Sequence, residues 1–417
     1  MCLQHEVAFA WPILRMAPCF SLATSAAGHD AAASRAFLFI VPIHRGHFSS
    51  GIGLLSSLLR HGSDVSVASL RFVASDTAEQ AELSTRLKNH TRSCGSSSQA
   101  DNSLDVGIAT LANVMMPWGV SPVMLEANTS QWGDYWAPVS RNKYHFQFTK
   151  KLYAARYFEY TLGLIIDADS VALPRSFSIQ GLFEDYLSEP LALTFEGATK
   201  LHCSDLWRES PLSPSPAKGN ASVPDWPSAY NWFVFKDVME AMFADVEGRF
   251  NMSFYAATGD IFRNRRAGRC YEHTTYMQFL LLSPTHRARI KRLQSWNDVY
   301  RRALPDESAL WGVPPSSDYT SRLMPSRKRQ LNGTNVSVPE QVASGLTVLV
   351  RELRLGIFRL PNEVAEGAKG RAWCRWRMAC GQAYFQTLRR LFASCSTLKF
   401  AMGHGAWIYG VVPEAHA

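Results

Sequence analysis

The order in which apolar runs of strand length alternate with amphipathic stretches is the strongest constraint on what this sequence can fold into. "AFLFIVPI", residues 36 to 43, is a continuous apolar run closed by Pro42. "FSSGIGLLSSLLRHG" then carries Ile52, Leu55, Leu58 and Leu59 on one helical face, with Gly62 as a stop signal just past the end. "VSVASLRFVASD" supplies a second strand that finishes at Asp76, before the helical "TAEQAELSTRLKNH". Strand, helix, strand is a βαβ unit, and it demands a parallel sheet with helices on its faces. The alternation resumes with the helix "FTKKLYAARYFEY", residues 148 to 160, and the strand in "TLGLIIDADSVAL", residues 161 to 173. A helix in "SFSIQGLFEDYL", a strand in "PLALTFEG", and a short strand plus helix in "YNWFVFKDVMEAMFADVEGRF" follow. The expected fold is a doubly wound, mostly parallel α/β sheet with helices on both faces, and a C-terminal helical extension.

The 417 residues divide into a leader or disordered arm at 1–34, one α/β domain at 35–300, and a linker with C-terminal extension at 301–417. Residues 92–105 form a polar loop, and the Pro/Ser-rich 205–228 forms a surface excursion. Two amphipathic segments, around "VLVRELRLGIFRL" and "CGQAYFQTLRRLFASC", lie in the extension, and no internal repeat is visible. A net charge of +8 from only 19% charged residues favours anionic partners such as nucleotides or phosphates. No dense Lys/Arg tract with interleaved aromatics occurs, so no nucleic-acid partner is expected. The eight cysteines are scattered without a C-x-x-C pair, which argues against structural zinc; Cys374 and Cys380 are the nearest pair for a disulfide. N-x-[ST] sequons at Asn89, Asn128, Asn220, Asn251, Asn332 and Asn335 point to a secretory-pathway lumen, with accidental sequons on a cytoplasmic protein as the alternative. The N-terminal "VAFAWPILRMAPCFSLATSAAG" is interrupted by Arg15 and two prolines, so any membrane association through it is weak.

The chemistry concentrates where the strand "LGLII" ends on Asp167 and Asp169. Ligands of parallel α/β sheets bind outside the carboxyl ends of the strands. Two carboxylates one residue apart at such an end can share a hard divalent cation, which stabilises a departing diphosphate. The plain alternative is that Asp167 caps a turn and Asp169 is solvated. A further alternative is a haloacid-dehalogenase-type phosphatase, since "LIIDADSV" fits D-x-D-x-[TV] with Asp167 as nucleophile and Asp169 as acid/base. That motif belongs on the first strand of its domain, however, and "GDIFRN" offers Asp260 but Asn264 where a second acid is needed.

"QFTKKLYAARYFEYTLGLIIDADSVAL" resembles the core of a GT-A glycosyltransferase, in a form shared with glycogenin-like transferases. A closer resemblance is to a poorly characterised GT-A-like family with a Q-x-x-K-L helix, an L-D-A-D strand and a later E-x-x-x-Y. The matching residues here are Gln147 and Lys151, with one extra residue between them, then Asp167 and Asp169, then Glu272 and Tyr276. The resemblance spans roughly residues 36 to 285. It implies a metal-dependent transferase that uses a nucleotide-sugar donor and a glycan, protein or small-molecule acceptor in the Golgi or endoplasmic reticulum lumen. Asp167 and Asp169 would bind Mn²⁺ or Mg²⁺ and, through it, the donor diphosphate, with Asp169 central to catalysis. His404 in "MGHGAWIYG" would be a third metal ligand, with glycines that allow close backbone approach, or else a surface histidine in a glycine turn. Lys151 would face the donor phosphates or sugar, or else be a solvated helix lysine. Asp76 would contact base or ribose, or else cap the helix before "TAEQ". Asn231 stands where an N-x-G sugar contact is expected, but "NWF" lacks the glycine. Glu272 would be the acceptor base of an inverting reaction, or else pair with Arg269 or His273; Glu196 is a second candidate base.

Overall fold

The computed structural model describes residues 36–93, 104–120, 141–168, 170–172, 177–194, 206, 232–263, 272–295, 357–359 and 400–402. Their strands of three or more residues are β1 Phe37–Pro42, β2 Ala68–Ala74, β3 Asp105–Thr110, β4 Leu162–Ile165, β5 Ser170–Ala172, β6 Leu191–Thr194, β7 Phe233–Phe235, β8 Arg292–Ser295, β9 Ile357–Arg359 and β10 Phe400–Met402. Their main helices are α1 Phe48–His61, α2 Thr77–Ser93, α3 Leu111–Met115, α4 Arg141–Tyr157, α5 Ile179–Ser188, α6 Lys236–Phe250, α7 Phe254–Arg263 and α8 Glu272–Leu282.

Five strands form the central sheet in the order β3-β2-β1-β4-β7. The first four are mutually parallel, with Phe37 opposite Ala68 and Leu162, and β7 runs antiparallel to β4, with Phe235 opposite Leu162. The chain therefore winds outward from β1 through β2 to β3, then returns to the other side of β1 to lay down β4. That reversal makes the carboxyl edge between β1 and β4 a topological switch point, where the loops after two neighbouring strands diverge and leave a crevice.

Side-chain alternation along β1 divides the core into two layers. Phe37 stacks on Phe183 of α5 at 4.6 Å between ring centroids, and Phe39 meets the same ring edge-on at 5.3 Å. Phe233 of β7 joins that layer against Tyr186 at 4.2 Å. The opposite face is left to α4, which packs against β1 and β4 and is in turn covered by α6 and α7. There Phe148, Tyr153, Phe243 and Phe254 form an aromatic cluster in which every one of the four is fully buried.

Two elements go beyond the sequence expectation. β3 begins at the last residue of the stretch read as polar loop and continues through "DVGIAT", which has too few large apolar residues to announce a strand. Its place is fixed instead by Arg71 of β2, which pairs with Asp105 and lies across Gly107, where a Cβ would come within 3.0 Å of the Arg71 side chain. In the C-terminal extension the described residues are strands rather than helix. β9 pairs parallel with β10, and β10 pairs antiparallel with β5, setting Met402 opposite Ser170. An amphipathic period over "VLVRELRLGIFRL" yields at Ile357–Arg359 to backbone pairing with a strand far along the chain. The other amphipathic segment and Cys374, Cys380 and Cys395 lie outside the described residues.

Candidate functional site

β4 leads into the site under backbone control from both sides. The Ile165 N–H donates to the Trp232 carbonyl at 3.1 Å, and the Ile166 N–H donates to the Ile40 carbonyl at 3.0 Å. The chain then reverses: the Ser170 N–H donates to the Asp167 carbonyl at 3.0 Å, closing a four-residue turn at the switch point. Ala168 and Ser170 face inward, at 2% and 0% exposure, whereas the Asp167 side chain keeps 37%. A turn whose alanine and serine are buried while its first aspartate looks out is a carboxylate presented at a sheet edge. Asp169 lies outside the described residues.

Lys151 of α4 is the centre of charge. Its Nζ donates to Asp167 Oδ1 at 2.9 Å and to Glu272 Oε1 at 2.6 Å, and it lies 5.4 Å from the centre of the Trp232 ring. Burial alone would push the Lys151 ammonium down, but Asp167 and Glu272 more than compensate and hold it above its ordinary value. Burial likewise pushes the Glu272 carboxyl up, while Lys151 and His273 pull it below its ordinary range. Glu272 is the first residue of α8, where the helix dipole also favours a carboxylate. Lys151 is thus a fixed cation rather than a solvated lysine. Glu272 pairs with it, with His273 adding to the same effect, and as a paired, firmly ionised group it is a weak proton acceptor; Arg269 lies outside the described residues.

Tyr276 accounts for the direction in which Glu272 points. It is buried one helical turn further along α8, and its hydroxyl accepts the Phe235 N–H at 2.8 Å. That bond joins α8 to β7 and sets the helix rotation that turns Glu272 toward α4. The spacing E-x-x-x-Y places both side chains on one face of α8. Trp232, to which no sequence motif points, belongs here because it adjoins β7, the neighbour of β4.

Lys150 has no sequence signal either, because a helical period says nothing about which of two adjacent lysines turns inward. It is 3% exposed, and its Nζ donates to the Ile43 carbonyl, just past β1, and to Ser75 Oγ at 3.3 Å, just past β2. Burial lowers its ammonium to about 7, with Glu79 and Asp76 pulling it partly back. Glu79 ties the same two loops, accepting the Arg45 N–H at 2.8 Å and the Ser75 N–H at 2.9 Å. Asp76 fills the capping role: its Oδ1 accepts the Glu79 N–H at 2.7 Å, and its side chain stands exposed at the carboxyl edge of β2.

The structure therefore brings Lys151, Asp167 and Glu272 together and sets Asp76 at the β2 end of the same edge. Asn231, His404 and Glu196 lie outside the described residues. Among the described residues no group of three or more His, Cys, Asp or Glu side chains is gathered as for a metal ion. Asp260 lies within α7 rather than at the end of a strand.

No family model matches the chain, and neither does any curated protein. Solved structures that resemble it include mouse xyloside xylosyltransferase 1 in its apo form, at 14% identity and a TM-score of 0.32, covering 60% of this chain and 83% of that one. TarS from S. aureus is similar at 12% identity and a TM-score of 0.26, covering 85% and 82%. The mannosyltransferase Ktr4p from S. cerevisiae in complex with GDP is similar at 11% identity and a TM-score of 0.35, covering 66% and 73%. Likenesses this partial do not assign an activity, which is left to the chemistry of the site.

Proposed function

We propose that this chain is a metal-dependent glycosyltransferase, moving a sugar from a nucleotide-sugar donor to a glycan, protein or small-molecule acceptor. The observation that carries the reading is the Asp167 turn at the switch point of a mostly parallel sheet, joined to the fixed cation Lys151. Asp167 offers carboxylate oxygen, the ligand type of a hard cation, at a partly open edge, where its Oδ1 is paired with the Lys151 ammonium at 2.9 Å. Asp167, Asp169 and His404 would hold Mn²⁺ or Mg²⁺. The β10–β5 pairing supports His404, since Met402, two residues before it, is opposite Ser170. The bound cation supplies neutralisation of charge that builds on the departing diphosphate.

The chain's own groups do the rest. Lys151 carries fixed positive charge beside that position and costs no reorganisation when phosphate arrives. Glu272 holds Lys151 in place and is a positioning residue before it is a base. Asp76 offers an exposed carboxylate to a ribose, and Asn231, which precedes Trp232 in the sequence, would contact the donor sugar. Exposed sequons at Asn89 and Asn251 support the lumen of the Golgi or endoplasmic reticulum. No helix among the described residues is long and apolar enough to cross a membrane.

The test is release of nucleoside diphosphate from UDP- and GDP-sugars with Mn²⁺, by the parent and by Asp167→Asn. The parent should release it, and the variant should be slower by about a hundredfold or more. Hydrolysis of simple phosphomonoesters through a phosphorylated Asp167 would replace this reading with the phosphatase. Donor binding without turnover would make the chain a binding module.

A further inference from the structure

Lys150 and Lys151 are consecutive on α4, yet they serve different parts of the sheet edge. Lys151 reaches Asp167 beyond β4. Lys150 turns the other way and reaches Ile43 beyond β1 and Ser75 beyond β2. Successive residues on a helix project about 100° apart, so one turn of α4 can contact both sides of the switch-point crevice. A buried ammonium is a costly way to hold two loops together when an apolar residue would pack there. Glu79 adds a second tie, through the Arg45 and Ser75 N–H groups, and Arg45 also pairs with Glu82 at 2.9 Å. The two loops are thus held by one buried cation and one carboxylate.

We propose that Lys150 is a positioning residue for the nucleoside half of the ligand. It holds the loops after β1 and β2 in the arrangement that receives a base and ribose, while its neighbour Lys151 serves the diphosphate half. The inference rests on the nucleotide-sugar reading given above. If phosphates lie at Asp167 and Lys151, a nucleoside crossing the crevice meets residues 43–47 and 75–79. The loop geometry at that end is then set by Lys150 and Glu79, and the same helix turn fixes it relative to the phosphate end.

The experiment is calorimetric titration of the full chain with UDP, GDP, and pyrophosphate, each with Mn²⁺, for the parent, Lys150→Met and Lys151→Met. Lys150→Met should bind the preferred nucleoside diphosphate roughly tenfold more weakly and leave pyrophosphate affinity unchanged. Lys151→Met should weaken both. Ser75→Ala, which removes the acceptor hydroxyl but keeps both charges, should shift nucleotide affinity in the same direction by a smaller factor, and it serves if Lys150→Met does not fold. Equal nucleotide affinity in the parent and Lys150→Met, or in the parent and Ser75→Ala where only that variant folds, overturns the proposal and leaves the glycosyltransferase reading standing. Parallel loss of pyrophosphate and nucleotide affinity in Lys150→Met also overturns it, since the effect is then general. A parent that binds none of the three ligands removes the reading and this proposal with it.

Discussion

Glu272 takes its character from a partner far along the chain. Its role as a base needs an available carboxylate, but the Lys151 ammonium holds it at 2.6 Å with only 13% of its side chain exposed. Its folded carboxyl lies below the ordinary 4.5, so the stability it contributes is fully present above that pH and is lost as pH falls through the lower folded value. Glu272→Gln should therefore melt earlier than the parent at neutral pH, by about 1–3 kcal/mol, and the gap should narrow as pH falls below 4.5. Melting curves across that range check it; a gap independent of pH would mean that the ion pair contributes nothing. The place of Asp167 was legible because a buried strand that runs straight into acidic residues breaks the apolar pattern at the edge where parallel sheets bind ligands. Lys151 was legible as a candidate only, because its partner Glu272 is 121 residues away and no local pattern names it. Lys150 had no signal at all, since burial of one lysine beside another depends on where the loops after β1 and β2 come to rest.

At the scale of elements, α8 is the part whose placement matters most. It is buried nearly all round, His273 to Leu280 included and polar residues among them, so no hydrophobic stripe sets its rotation. The Tyr276 hydroxyl does so through the Phe235 N–H. Tyr276→Phe should leave a buried N–H of β7 without that acceptor and cost about 1–3 kcal/mol, read as a lower midpoint in urea. It should also weaken nucleotide binding, because Glu272 and then Lys151 lose their setting; unchanged binding would separate Tyr276 from the site. The elements predicted best, β1, α1, β2 and α2, are those that carry their own continuous apolar run or helical period in the sequence. β3 and β9 escaped for the opposite reason. β3 is held by the cross-strand pair of Arg71 with Asp105, and β9 by a strand whose residues begin at Phe400.

Across the whole molecule, the described residues of the C-terminal extension, β9 and β10, pair into the sheet that holds β5, next to the Asp167 turn. β10 lies between β9 and β5, and Ser170 of β5 directly follows Asp169. Ala401→Pro, in the middle strand of that three-stranded sheet, should disrupt the pairing with Val171. The expected result is loss of most of the proposed transfer activity with little change in melting of the central sheet, of which β10 is not a strand. Retained activity would detach the extension from the site. The central claim is that Asp167 and Asp169 bind a nucleotide diphosphate through a divalent cation. It is tested most directly by titrating the parent and Asp169→Asn with UDP and GDP, with and without Mn²⁺. The account predicts that one nucleotide binds the parent only when Mn²⁺ is present and does not bind Asp169→Asn. Binding that is indifferent to both Mn²⁺ and Asp169 would contradict it.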